Sequence, residues 1–302
     1  MSFKGAAGFA KDYRTFHVGG KVDYGKIGDS CTSDLVLYLA GNQFMVMEEL
    51  IGNFQKKYPS VKTVYCETLP PGEILKNHIL KEGIVDGQHT SQNPDLYGSV
   101  NFAHLQTLQA NGMMDRYLVY THNKLELMVA EGNPMGICGP EDLGRDDIVQ
   151  SQPNPITESI FQGPASAMLR DLNLYDKVTG GVMDKACWAV EGKVWFTERH
   201  HRETPYRIEN GLADVGVVWA TEIIEAKHEG KRIDGVVIPA PLDKAHEVFY
   251  ALGALKTARN VVNAEKYLAY LATDEAQEIY ARYGFVKATA KDLELRPIPS
   301  KQ

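Results

Sequence analysis

The chain has 302 residues, enough for two compact domains of ordinary size. Hydrophobic residues make up 44% and charged residues 24%, proportions that exclude a disordered or collagen-like chain. A net charge of −7 argues against a nucleic-acid partner, which needs a dense basic face to release phosphate counterions. It leaves an anionic solute open, because a buried site can work through amide donors rather than net charge.

No run of about 18 apolar residues is present, so no membrane-spanning helix is expected. Residues 1–30 carry Lys4, Lys11, Asp12, Arg14, Lys21 and Asp23 and lack the apolar segment of a secretory leader. This start fits either a cytoplasmic protein or a sequence from which a leader has been removed. The cysteines are Cys31, Cys66, Cys138 and Cys187, without CxxC spacing or the density of a disulfide scaffold. Cys31, Cys138 and Cys187 read as structural or incidental thiols.

Residues 1–32 show no periodicity and read as an N-terminal extension that packs on the body or stays loose. Regular patterning begins at Asp34. The continuous apolar run Leu35 to Leu39 predicts a strand buried on both faces. A tight turn at Ala40 to Gln43 follows. Then Met47, Leu50, Ile51, Phe54 and Tyr58 recur at helical spacing up to Pro59. Val61 to Cys66 predicts a second strand, Leu69 to Gly72 a turn, and Glu73 to Lys81 a helix. Asp95 to Tyr97 predicts a third strand ending at Gly98-Ser99, with a helix from Phe102 to Gln109. Strand, turn and helix in repetition predict a parallel sheet with crossover helices.

Leu125 to Ala130 predicts a strand that leaves this first block. Helices are expected at Pro164–Leu172 and Pro205–Asn210, with Pro205 in the first helical position. Strands are expected at Val215–Trp219 and Val236–Ile238, and a returning strand within residues 247–256. Asn263 and Thr273 read as helix caps, and Gly284 closes the last helix. The expected fold class is α/β: two lobes, each a mixed sheet flanked by helices, with a ligand cleft between them. Residues 33–123 and 248–302 make the first lobe, and 124–247 an inserted second lobe.

Three stretches carry a family resemblance. They are Tyr250 to Lys256 followed by Asn263 to Leu271 and Ala276 to Phe285; Glu209 to Glu222; and Asn123 to Pro134. Over about residues 34–290 the sequence resembles the type II periplasmic solute-binding proteins, specifically their molybdate-binding branch. The resemblance implies a periplasmic, non-enzymatic binder without a catalytic cofactor, whose ligand is a small inorganic oxyacid. It places ligand positions at Asn42, at the turn containing Gly72, near Phe161, at His201 and at Trp219, with Ser99 on the same rim.

Departures from that pattern are informative. Pro70 and Pro71 offer no N–H at the second turn, and Trp219 stands where a tyrosine phenol is usual. The strand before this turn carries Cys66-Glu67-Thr68, and soft sulfur suits a thiophilic centre. These features resemble the arsenite-sensing binding proteins of the AioX group, which partner a membrane sensor histidine kinase. That narrower resemblance implies that Cys66 holds trivalent arsenic, with Glu67, Thr68, His200, His201 and Arg202 hydrogen-bonding the remaining hydroxyls. Three other functions remain open. One is delivery of molybdate, tungstate, sulfate or a related oxyanion to an ABC permease. Another is nucleophilic catalysis by Cys66 with His200 or His201 as base. The last is Zn²⁺ or Cu⁺ carriage by Cys66, His200 and His201.

Overall fold

The computed structural model describes residues 12–81, 83–85, 87–156, 158–182, 187–198, 203–245 and 247–299. In chain order the strands and helices begin with β1 (Tyr13–His17), β2 (Val22–Tyr24), β3 (Leu35–Ala40), α1 (Met47–Lys57) and β4 (Thr63–Leu69). The one-turn helix α2 (Pro71–Glu73) runs on as a π-helix, Ile74–Ile79. A small hairpin of β5 (Ile84–Val85) and β6 (Gln88–His89) precedes β7 (Leu96–Ser99), α3 (Phe102–Ala110), β8 (Arg116–His122) and β9 (Leu125–Ala130). Then come β10 (Gln150–Gln152), α4 (Ser166–Asp171), α5 (Tyr175–Thr179), β11 (Trp188–Val190), β12 (Val194–Phe196), α6 (Glu203–Glu209) and β13 (Val215–Trp219). Next are α7 (Ala220–His228), β14 (Ile233–Val237), β15 (Phe249–Ala254), α8 (Val261–Leu271) and α9 (Asp274–Arg282), and the order closes with the two-residue strands β16 (Val286–Lys287) and β17 (Arg296–Pro297).

The chain divides into two compact units. One holds residues 1–121, 249–282 and 287–302; the other holds 122–248 and 283–286. The fold is mixed α/β, with sheets flanked by helices. No helix among the described residues is long and apolar enough to cross a membrane.

In the first unit the sheet order includes β8-β15-β7-β3-β4-β1-β2. At its centre β3 pairs in parallel with both β4 and β7. Every residue of β3 is buried, as expected of a strand covered on both faces. Tyr38, Tyr65, Leu69, Ile74 and Tyr97 pack into the core cluster on one face, where Leu105 and Leu108 of α3 join them. The helical spacing read in α1 is the observed one, with Met47, Leu50, Ile51 and Phe54 buried.

Residues 13–31, read above as lacking regular structure, form β1, β2 and a 3-10 turn at Ile27–Cys31. The reason is tertiary: β1 is too short to announce itself by periodicity, and it is fixed by antiparallel pairing with β4. Strand β4 runs through Cys66 to Leu69 instead of stopping at Cys66, because β3 pairs with it as far as Leu69 while β1 covers its other edge as far as Glu67.

In the second unit the sheet order is β11-β12-β10-β13-β9-β14. Strands β10, β12 and β13 are parallel, while β9 runs antiparallel to both β13 and β14. The predicted helix at Pro164 begins as a π-helical turn, Phe161–Ala165, containing that proline. Pro205 is the third residue of α6 rather than the first. The caps also differ: α8 starts after Asn260, and Asn263 lies inside it, donating to the Asp34 carbonyl at 2.8 Å. Thr273 accepts from Ala276 N at the start of α9, and Gly284 takes the left-handed conformation after its end.

Candidate functional site

The chain order creates a switch point at β3. From β3 the chain passes to β4 on one side, and later to β7 on the other. In open α/β sheets ligands bind beyond the carboxyl ends of strands at such a point, because helix starts converge there. The register sets the level: Ala40 pairs with Leu69, and Tyr38 with Tyr97, so Ser99 stands level with Ala40. Immediately beyond lie Gly41-Asn42-Gln43, Pro70-Pro71-Gly72 and Val100-Asn101, a shared rim within the first unit.

Each rim residue has a defined role. Asn42 Nδ2 donates to the Tyr250 hydroxyl. Gln43 is fully buried; its Oε1 accepts from Tyr120 at 2.9 Å and from Tyr280 at 3.1 Å, while its Nε2 has no partner. Tyr97 donates to the Pro71 carbonyl at 2.8 Å, tying the second turn to β7. Neither proline has an N–H, so Gly72 brings the first free amide of that turn. Asn101 caps α3, its side chain accepting from Ala103 N at 3.0 Å.

Ser99 is buried, and its hydroxyl oxygen accepts from Asn101 N at 3.0 Å. The same oxygen lies 2.9 Å from Nδ1 of His104. The His104 ring edge abuts the second turn: a Cβ placed on Gly72 would sit 3.3 Å from both Cε1 and Nε2. Burial lowers the His104 pKa, so the imidazole is neutral at neutral pH. Asn42, Gln43, Gly72, Ser99, Asn101 and His104 therefore supply dipoles without fixed charge. The nearest carboxylate in the turn, Glu73, is exposed.

His104 was not singled out from the sequence. Its signal is positional: it lies five residues after the strand-ending Ser99, in the first turn of the following helix, where a side chain turns back over the preceding strand end.

Cys66, Glu67 and Thr68 do not form the ligand trio expected of them. All three lie inside β4, between β1 and β3, with Arg14 opposite Cys66 on one side and Leu37 on the other. Alternation along a strand sends Cys66 and Thr68 to one face and Glu67 to the other. Cys66 is fully buried, and burial pushes its thiol up to about 12 despite the nearby Arg14 guanidinium. A thiol so held forms almost no thiolate, the reactive species. Glu67 instead meets His78, Oε1 to Nδ1 at 2.5 Å, and Thr68 is 1% exposed with no partner for its hydroxyl. The physical reason for the difference is β1, which covers a segment that reads as a strand end when β1 is unseen.

In the second unit, Trp219 ends β13 at the N-cap of α7, 5% exposed. Phe161 is core: it is fully buried and packs edge-to-face on Phe196 with ring centroids 5.5 Å apart. His200, His201 and Arg202 lie outside the described residues. Just after them, the Glu203 carboxylate accepts from Glu198 N at 3.0 Å and from Arg207 at 3.2 Å. Among the described residues no group of three or more His, Cys, Asp or Glu side chains is arranged to hold a metal ion.

Comparison with known proteins follows the same lines. The pattern of the family described as bacterial extracellular solute-binding protein matches residues 35–286. The provisionally named ABC transporter substrate-binding lipoprotein YvgL of Bacillus subtilis is 25% identical over 210 residues, covering 66% of this chain and 77% of YvgL. A sulfate-binding protein of Synechococcus elongatus is 26% identical over 194 residues, covering 61% of this chain and 53% of that protein. Among solved structures, the periplasmic molybdate-binding protein of Azotobacter vinelandii superposes with a TM-score of 0.62 at 18% identity, over 84% of this chain and 100% of its own. The sulfate-binding protein SubI of Mycobacterium tuberculosis gives 0.61 at 18% identity, over 85% and 86% respectively. At 18% identity these solved structures show a shared fold.

Proposed function

Because the chain belongs to the bacterial extracellular solute-binding proteins, we propose that it captures a tetrahedral oxyanion of the molybdate or sulfate type and delivers it to an ABC permease. The observation that carries this reading is the rim at the switch strand. Ser99, the turn Gly41–Gln43 with Asn42, and the start of α3 gather beyond β3, β4 and β7, with His104 neutral and no fixed cation among them. Such a site holds an anion through oriented amides and hydroxyls, the positive ends of aligned peptide dipoles. A fully ionised oxyanion needs donors only.

Two departures from the usual oxyanion pattern keep their physical meaning. The second turn loses two amide donors to Pro70 and Pro71, and Trp219 donates through one N–H without accepting. At the second turn the ligand is therefore one satisfied by fewer donors. Capture of arsenite by Cys66, with signalling to a sensor kinase, is the weaker reading, because the sulfur is sealed within the sheet and held protonated. Nucleophilic catalysis through the same thiol meets the same obstacle. The family relationship likewise favours binding without turnover.

The test is thermal denaturation of protein stripped of ligand by unfolding and refolding, against sulfate, molybdate, tungstate, phosphate and arsenite. A ligand at about 100 times its Kd stabilises the fold by about 2.7 kcal/mol. A melting shift with one or more of the tetrahedral oxyanions, unchanged in Cys66→Ser, is the expected result. A shift with arsenite alone, lost in Cys66→Ser, overturns the reading.

A further inference from the structure

We propose that oxyanion capture at this rim is linked to proton uptake by His104, which makes His104 a ligand-contacting residue that sets both pH response and selectivity. The inference rests on the oxyanion reading above and adds a residue and a regulation to it.

The argument begins with the protons available. Ser99 has one hydroxyl proton; its oxygen accepts from Asn101 N, and the Asn101 carbonyl 3.2 Å away is a second acceptor for that proton. The contact with His104 Nδ1 at 2.9 Å must hold a proton from one side or the other. If Ser99 donates to Nδ1, its hydroxyl is consumed and Nε2 carries the ring hydrogen. If Nδ1 donates to Ser99, the hydroxyl turns to the Asn101 carbonyl or to the ligand, and Nε2 becomes a bare lone pair, which repels an anionic oxygen. A neutral ring therefore offers the ligand at most one donor from this pair.

Protonation changes the count. An imidazolium donates from Nδ1 to Ser99, frees the Ser99 hydroxyl for the Asn101 carbonyl or the ligand, and keeps a donor at Nε2 at the same time. It also brings the one positive charge that the rim otherwise lacks. Among the described residues no hydrogen-bond partner occupies Nε2, whose edge faces the amide-bearing turn at Gly72. Without an anion, burial holds the ring neutral. The titratable groups on elements packed around α3 are Tyr97 of β7, Glu73 of α2, and, beside Phe102, Tyr117 of β8 with Arg296 stacked on it. None of them forms a hydrogen bond or ion pair with the imidazole. A bound dianion would be the dominant charge there, and it favours the protonated ring.

Selectivity follows from the same count. Sulfate has no proton to give near neutrality, so it meets either a neutral ring in its Nε2–H form or, with the added attraction of charge, the imidazolium, and it is held best by the latter. Hydrogen phosphate carries its own O–H and can donate to a bare Nε2, so it binds the neutral dyad without that proton. Sulfate affinity then falls with rising pH, and phosphate affinity falls less.

The experiment is titration calorimetry on the whole chain with sulfate, molybdate and phosphate, from about pH 5.5 to about pH 8.5, in two buffers of different ionisation enthalpy. Wild type is compared with His104→Gln, which keeps an amide donor but cannot charge. The expected result is that sulfate binding weakens about tenfold per pH unit over the upper part of the range, with close to one proton taken up per anion. His104→Gln loses that proton uptake, and its sulfate affinity is flat with pH. Flat wild-type affinity without proton uptake, or uptake undiminished in His104→Gln, overturns the linkage and leaves oxyanion binding standing. No binding of any of the three by folded wild type overturns both. Should His104→Gln fail to fold, the wild-type proton count decides by itself.

Discussion

Glu67 and His78 meet inside the first unit, Oε1 to Nδ1 at 2.5 Å, and the second carboxylate oxygen of Glu67 has no hydrogen bond. Burial raises the Glu67 carboxyl above its ordinary range. Burial, the largest single effect, would lower His78, but the bond to Glu67 together with the charges of Glu67 and Glu73 outweighs it and raises the imidazole. The pair thus holds a proton more tightly in the folded chain than in the unfolded one.

A group whose folded pKa is raised contributes stability that is present at low pH and lost as pH climbs. The loss begins above about 4.5 for Glu67 and above about 6.5 for His78, their unfolded values. Thermal melts of wild type across this range should therefore fall more steeply with pH than those of Glu67→Gln. Removing one partner outright, as in His78→Ala, leaves an uncompensated buried group and should cost about 3–5 kcal/mol. Parallel pH profiles for wild type and Glu67→Gln would show that the pair does not carry the dependence.

Cys66 should resist alkylation in the folded protein, while the exposed Cys31 and Cys138 react. Peptide mass spectrometry after timed iodoacetamide treatment measures this directly. Modification of Cys66 at the rate of Cys138 would restore the case for a thiol ligand.

Gly72→Ala should weaken oxyanion binding severalfold with little change in melting temperature. The new methyl would lie 3.3 Å from the His104 ring, so the imidazole must move by a few tenths of an ångström. Calorimetry on the variant is the check. Unaltered affinity would mean that the ring edge at this turn does not touch ligand.

Gly253→Ala tests the sheet rather than the site. A Cβ there would lie 2.5 Å from the Arg116 carbonyl oxygen and 2.6 Å from the Met114 sulfur. A backbone carbonyl cannot swing away as a side chain can. The substitution should cost about 1–3 kcal/mol or more, read as a lower denaturant midpoint.

Much of this architecture was legible in the sequence. The unbroken apolar run of β3 and the spacing in α1 dictate their own structure, and the rim at Asn42, Gly72 and Ser99 follows from where strands give way to helices. What was not legible depends on partners distant in sequence. Nothing in Tyr13 to His17 says that it will pair with β4, yet that pairing turns Cys66 from a presumed strand end into the middle of a sheet. Phe161 has the same history, being placed in a core by Phe196. His104 escaped because its meaning comes from Ser99 and Gly72 together, two residues that only the parallel sheet brings to one level.

The strand β1 has one consequence for experiment. Its ladder with β4 sets Arg14 directly against Cys66, and among the described residues its other strand neighbour is the short β2. The sulfur also lies near Tyr120 of β8, Tyr267 of α8 and Tyr280 of α9. Alkylation of this one atom thus gauges how often the sheet parts at β4 together with its helical cover, and it can be read without adding any probe to the chain.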